Sequence, residues 1–326
     1  MEEKQKKGIV VAGSVLVDKI NEIRAYPQSG ELTQIVHLEK AVGGCVPNVA
    51  LDLKKICPDM EVKAIGKIGK DEEGVYVSGV LEQEGVDISG LVLMEGEKTS
   101  FTEVMSVLNG QRTFFTYAGA SADFGFEDVK FEQIHPKMLH LGYFLLLEKV
   151  DNGDGRRILE EAKKRGIRTS IDLVSENSDR YALVLPCIPY TDYLIVNEIE
   201  AGKLTGIEPI DENLEKIAHR LMDMGVKEKV IIHKPDRSVC LSKEQYTVVG
   251  SYILPDGYIK GTTGAGDAFC AGSLFGIYQG WRDQEILEFA SACAVMALGS
   301  ADATSGLVKE QDVKAYCKKF NRRKEN

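Results

Sequence analysis

Short runs of apolar and β-branched residues alternate along the chain with stretches whose apolar positions recur every three to four residues. "GIVVAG" at 8–13 precedes a helical pattern near 46–56, and "VKAIG" at 62–66 precedes one near 72–84. The alternation returns with "MLHLG" at 138–142, a helix near 154–165, "RTSID" at 168–172, "YLIVN" at 193–197, a helix near 211–224 and "KVIIH" at 229–233. Continuous apolar strands followed by amphipathic helices predict an α/β fold, a doubly wound and mainly parallel sheet flanked by helices. Two last helical patterns, near 266–279 and 284–298, close the main body.

Two stretches break this rhythm. "ELTQIVHLEKAV" at 31–42 and "TSFTEVMSVLNGQRTFFTY" at 99–117 alternate polar and apolar positions, and Asn109-Gly110 is a hairpin turn signal. They predict a small antiparallel sheet built from two excursions, either an edge decoration or a lid over a site at the carboxyl edge of the main sheet.

Composition narrows the partners. Of 326 residues, 44% are hydrophobic and 28% charged, the balance of a folded soluble protein, and no run reaches the length of a membrane span. The start passes from charged residues directly into a strand-like run, which reads as cytoplasmic. The net charge of −10, from 50 acidic and 40 basic residues without a basic stripe, argues against a nucleic-acid partner. Seven scattered cysteines, never spaced CxxC, indicate neither a disulfide frame nor a zinc site.

Chemistry concentrates in three places. In "GTTGAGDAF", Gly264 and Gly266 free the backbone just before a helix, and Asp267 falls in its first turn. Helix-terminal amides there suit phosphate oxygens, and an ionised Asp267 can accept a hydroxyl proton; an ordinary helix cap uses the same residues. In "VNEIEAG", Asn197 and Glu200 stand three apart, suited to a hydrated Mg²⁺ or to a capping box. In "AVGGCVPNVALDL", Gly43 and Gly44 permit close backbone approach, and Asn48 projects from a first helical turn. Asp18, near the end of the first strand, joins Asn48 as either a polyol-binding or a solvated residue. No GxxxxGK[ST] and no GxGxxG follows the first strand, so neither a Walker loop nor a dinucleotide fingerprint is present.

In this order and spacing the segments resemble the ribokinase-like (PfkB) family of carbohydrate and nucleoside kinases. "GTTGAGDAFCAGSLFG" is similar to its C-terminal signature, "GGCVPNVALDL" to its N-terminal one, "NEIEA" to its NxxE motif and "AIGKIGKDEEG" to its second-strand region. The resemblance implies one ribokinase-like domain over 1–326, with a small β-sheet lid from excursions at about 14–42 and 95–120. It implies Asp267 as catalytic base, Gly264, Ala265 and Gly266 as anion hole, and Asn197 with Glu200 at the metal. Asp18, Gly43, Gly44, Asn48 and Arg112 would hold the acceptor. ATP would meet Asn197, His233, Asp236, Thr263, Gly264, Gly266 and Ser291. The implied activity is ATP- and Mg²⁺-dependent phosphorylation of a sugar hydroxyl. A nucleoside kinase and a non-catalytic sugar-binding protein of the same fold are the alternatives.

Three departures refine these expectations. Gly261 stands where the signature usually opens with an Asp that serves members activated by a monovalent cation, so little dependence on potassium is expected. Pro235 and Ser238 replace glycines expected on the nucleotide side. Leu16 stands where ribokinases usually carry an Asn, which weakens ribose as the acceptor. Arg112 either reaches the site, favouring an acidic or phosphorylated acceptor, or is a solvated hairpin charge. Exposed lid strands make a homodimer plausible on edge-protection grounds.

Overall fold

The computed structural model describes residues 6–107, 112–300 and 302–324. The Asn109-Gly110 turn therefore lies outside the described residues. In chain order the elements are β1 (Ile9–Gly13), β2 (Leu16–Ile23), β3 (Ile35–Gly43), α1 (Cys45–Ile56), β4 (Val62–Gly69), α2 (Glu72–Gln83) and β5 (Asp87–Met94). Next come β6 (Ser100–Val107), β7 (Arg112–Tyr117), α3 (Gly119–Ala122), β8 (Met138–Phe144), α4 (Gly155–Lys164), β9 (Arg168–Leu173), β10 (Tyr193–Asn197) and α5 (Glu198–Thr205). The chain ends with α6 (Leu214–Asp223), β11 (Lys229–His233), β12 (Arg237–Ser242), β13 (Tyr246–Gly250), α7 (Ala265–Gln279), α8 (Asp283–Leu298) and α9 (Glu310–Cys317).

Nine strands form the main sheet in the order β13-β12-β11-β10-β9-β8-β1-β4-β5. Neighbours from β11 through β5 pair in parallel, while β12 and β13 add an antiparallel hairpin at one edge. Apolar residues on both faces of β1 explain its uninterrupted run. Ile9 and Val11 join the core under α1, α7 and α8, whereas Val10 and Ala12 join the core under α4 and α6. After β1 the strand order grows one way, to β4 and β5, and then the other way, to β8 and β9. The resulting switch point lies at the carboxyl ends of β1 and β8, where such folds open a crevice.

The two excursions build a separate four-stranded sheet, β3-β2-β6-β7. It is mixed rather than purely antiparallel, because β2 and β6 pair in parallel with Leu16 opposite Ser100. Each is the first strand of its excursion and leaves the main body in the same direction, so the two outward strands lie side by side and the return strands flank them. Asp18 consequently stands on β2 of this sheet, beyond the end of the first strand. All seven cysteines are unpaired, and six of them are buried as small apolar side chains. Among the described residues no helix is long and apolar enough to cross a membrane.

Candidate active site

The loop "GTTG" brings the chain to α7 through Gly264, at φ 79° and ψ −7°. A side chain is excluded there twice over, since a Cβ would also lie 2.4 Å from the Ala303 carbonyl oxygen. The first amides of α7 have no partner one turn earlier in the helix, and they carry the positive end of its dipole. Gly264, Gly266 and Asp267 border a cavity of about 180 Å³ at the carboxyl edge of the sheet, together with Tyr143, Asp172 and Glu200. A larger cavity of about 640 Å³ opens at the opposite end, near Ile9 and Val62. Two of its lysines are engaged, Lys63 by Asp87 and Lys54 by the Met60 carbonyl, whereas the smaller cavity gathers Asp172, Asn197, Glu200, His233 and Asp267.

Asp267 is 5% exposed. Its Oδ2 accepts from Asn48 Nδ2 at 2.8 Å and from the Tyr143 hydroxyl at 2.8 Å. Burial and then the Asp172 charge raise its pKa to about 7, against the pull of the two donors, and Asp18 adds to the rise. A carboxyl group poised there can both take and release a proton near neutrality.

Asn48 is 2% exposed on α1 and is not the cap of that helix, whose N-cap is Gly44 at φ 85°. Its Oδ1 has no partner among the described residues. Gly43 lies opposite Leu16, and a Cβ on it would come within 2.6 Å of Asp18 Oδ2, so the glycine makes room for that carboxyl. Burial raises Asp18 to about 7. Arg112, at the start of β7, donates from Nη1 to Thr263 Oγ1 at 2.5 Å, which places its guanidinium against the loop leading into α7.

Asn197 and Glu200 form a capping box at the start of α5. Asn197 Oδ1 accepts from the Glu200 amide at 2.9 Å, and Glu200 Oε2 accepts from the Asn197 amide at 3.0 Å. Ser175 joins them, donating to Glu200 Oε1 at 2.8 Å and accepting from Asn197 Nδ2 at 2.7 Å. Burial raises Glu200 to about 7. Each of its oxygens takes one hydrogen bond and keeps a lone pair, a donor set that fits a hydrated Mg²⁺ through its waters. His233 borders the cavity beside Phe269, ring centroids 4.7 Å apart, and burial lowers its pKa to about 4, so it offers a neutral imidazole.

Three expected nucleotide residues do not border this cavity: Thr263, which takes the Arg112 hydrogen bond, Asp236 and Ser291. Asp236, in the turn between β11 and β12, pairs with Lys234 at 3.2 Å and Arg237 at 3.4 Å. Ser291 is buried on α8 with its Oγ 3.4 Å from Ser238 Oγ, so the serine in place of a glycine packs against it in the interior.

Sequence reasoning missed Tyr143, Asp172 and Ser175. Tyr143 adopts φ 60°, an unusual conformation for an aromatic residue, of order 1–3 kcal/mol in strain. Its amide donates to Asp172 Oδ1 at 2.7 Å. Behind it, His140 Nε2 lies 3.4 Å from Asp172 Oδ2, and its Nδ1 lies 2.9 Å from Ser170 Oγ. Cys45, His140 and Asp172 bring ligand atoms within 4.8 Å of one another, and burial, followed by the Asp172 charge, pushes the Cys45 thiol well above its ordinary pKa. The available signal was position: both Tyr143 and Asp172 stand at carboxyl ends of parallel strands beside the switch point.

Residues 6–310 match the model of the pfkB family carbohydrate kinases, and the chain belongs to that family. It is 25% identical over 330 residues to the 5-dehydro-2-deoxygluconokinase of Clostridium perfringens, covering 98% of this chain and 95% of that one. The fold is similar to that of Arabidopsis thaliana ribokinase in complex with ribose and ATP, with a TM-score of 0.82 at 22% identity over 96% and 99% of the two chains. It is also similar to the nucleoside kinase of Methanocaldococcus jannaschii, with a TM-score of 0.77 at 19% identity over 96% and 99%. The protein is thus a phosphotransferase with an alcohol acceptor, a carbohydrate kinase by family.

Proposed function

We propose that the protein transfers the γ-phosphoryl group of ATP to a hydroxyl of a neutral carbohydrate, with Asp267 as base. The observation that carries this reading is a nearly buried carboxyl, held by two donors and raised to about 7, in the first turn of a helix entered through a glycine turn. The acceptor hydroxyl gives its proton to Asp267 as its oxygen bonds to the γ-phosphorus. The bond from that phosphorus to the bridging oxygen breaks, and ADP leaves with the electron pair. Amides of Ala265, Gly266 and Asp267 face the charge on the phosphoryl oxygens, while Arg112 closes over them from the second sheet, anchored on Thr263 of the loop before α7. Glu200 and Asn197 would hold a hydrated Mg²⁺ through its waters, and the ion would supply positive charge against the phosphates.

Asp18 and Asn48 bind acceptor hydroxyls. Their end of the site gathers the carboxyls of Asp18, Asp172 and Asp267, which disfavours an acidic acceptor and supports an uncharged polyol. The aromatic rings that a nucleoside would need point the same way, since Phe101 and Tyr117 pack on one another with centroids 5.3 Å apart. The second sheet acts as a lid within a single domain, and its exposed Leu38, Phe114 and Phe115 suit pairing with a second copy. With Gly261 in the signature, activity should change little when potassium is withdrawn.

ADP release with Mg·ATP across neutral sugars, sugar acids and nucleosides tests this reading. Stimulation by a neutral sugar supports it. Binding of sugars without any stimulated ADP release would instead favour a non-catalytic binding protein.

A further inference from the structure

We infer that Tyr143 is a positioning residue for the Asp267 base: its phenol and the Asn48 amide hold Oδ2, and Asp172 anchors the strained backbone from which the phenol projects, leaving Oδ1 for the acceptor hydroxyl. This rests on the reading of Asp267 as base, and adds which oxygen works and what aims it.

The Tyr143 hydroxyl and Asn48 Nδ2 reach the same atom, each at 2.8 Å, from β8 and α1. Among the described residues no side-chain donor reaches Oδ1. A carboxylate fixed in this way receives a proton on Oδ1 without breaking either existing bond, so proton transfer needs no rotation of the side chain. The backbone supplies an independent observation. At φ 60° a glycine costs least, yet the chain places a tyrosine there, directly after Gly142. Asp172 Oδ1 takes the Tyr143 amide at 2.7 Å and so ties the end of β8 to the end of β9. Strain of this kind persists where surrounding structure enforces it, and here what it secures is the direction of the phenol.

The groups that face Asp267 come from every element packed on it. They are Asn48, Cys45 and Asp52 of α1, Asp18 of β2, Tyr143 of β8, Asp172 of β9 and Cys270 of α7 itself, with His233 of β11 beside Gly266. Within this set Tyr143 and Asn48 favour the ionised carboxylate, whereas Asp172 and Asp18 oppose it.

The full chain labelled with ¹³Cγ-aspartate, titrated without nucleotide or acceptor, reads the Asp267 carboxyl directly once Asp267→Asn has assigned its signal. The midpoint should move up by about 1 pH unit in Tyr143→Phe, the effect of losing one hydrogen bond to a charged group. It should also move up in Tyr143→Gly, which suits the backbone angle and keeps the test valid should the phenylalanine variant fold poorly. It should move down in Asp172→Asn. A midpoint unmoved in the Tyr143 variants, or unmoved in Asp172→Asn, overturns the proposal. Because the measurement needs no turnover, its failure is distinct from a failure to find kinase activity.

Discussion

Arg112 and Thr263 are joined by a hydrogen bond of 2.5 Å that ties the second sheet to the loop entering α7. The guanidinium is thereby held at the loop that precedes the first amides of α7, the side proposed to face phosphate. Arg112→Ala should lower kcat by about 100- to 1,000-fold, the range of losing a single charge-stabilising donor, and should raise the KM for ATP more than that for the acceptor. Arg112→Lys should recover only part of the loss, because an ammonium lacks the planar fork. A defect confined to the KM of the acceptor would return Arg112 to the acceptor side.

With Asp267 as the proposed base, its protonation should set the pH profile. Its carboxyl is raised to about 7, so kcat/KM should climb as pH rises through that value and the base becomes ionised. The ascending limb should vanish in Asp267→Ala, with a loss of about 10²- to 10⁴-fold. Initial rates from pH 5.5 to 8.5 at saturating ATP check this.

Gly43 is required for space. A Cβ there meets Asp18 Oδ2 at 2.6 Å and Leu16 Cδ1 at 2.7 Å, so Gly43→Ala should displace the Asp18 carboxyl. The KM for the acceptor should rise by about tenfold or more, with the KM for ATP little changed. Steady-state kinetics in both substrates separates the two.

Asp52 should oppose folding near neutral pH. It is fully buried on α1, and neither oxygen has a hydrogen-bond partner among the described residues. Burial, first of all, pushes its pKa well above the ordinary 3.8. A carboxyl raised in the folded state contributes stability that is present below the unfolded value and lost as pH rises toward the folded one. Asp52→Ala should therefore gain on the wild type as pH climbs from 4 to 7, reaching about 1–3 kcal/mol. Urea unfolding at several pH values checks the sign.

Much of the frame was legible because it depends on local pattern. Strand runs such as "GIVVAG" and "YLIVN", and the glycines before Asp267, carry their signal within a few residues, and Asp267, Asn197, Glu200 and His233 all border one cavity. Tyr143 and Asp172 were not legible, since their roles depend on β8 lying beside β9 and on one backbone angle. The parallel pairing of β2 with β6 was missed for the same reason: strand direction across two distant excursions is set by where each leaves the main sheet. Ser291 and Asp236, expected at ATP from the resemblance, lie outside that cavity and engage Ser238, Lys234 and Arg237.

The central claim, phosphoryl transfer to a sugar hydroxyl with Asp267 as base, is tested most directly by ³¹P NMR of Mg·ATP incubated with the neutral sugar that best stimulates ADP release. The wild type should give ADP and a new phosphomonoester in equal amounts, and Asp267→Ala should form that ester at least about 100-fold more slowly. Ester formation by Asp267→Ala at the wild-type rate, or inorganic phosphate as the only new product of the wild type, would contradict the account.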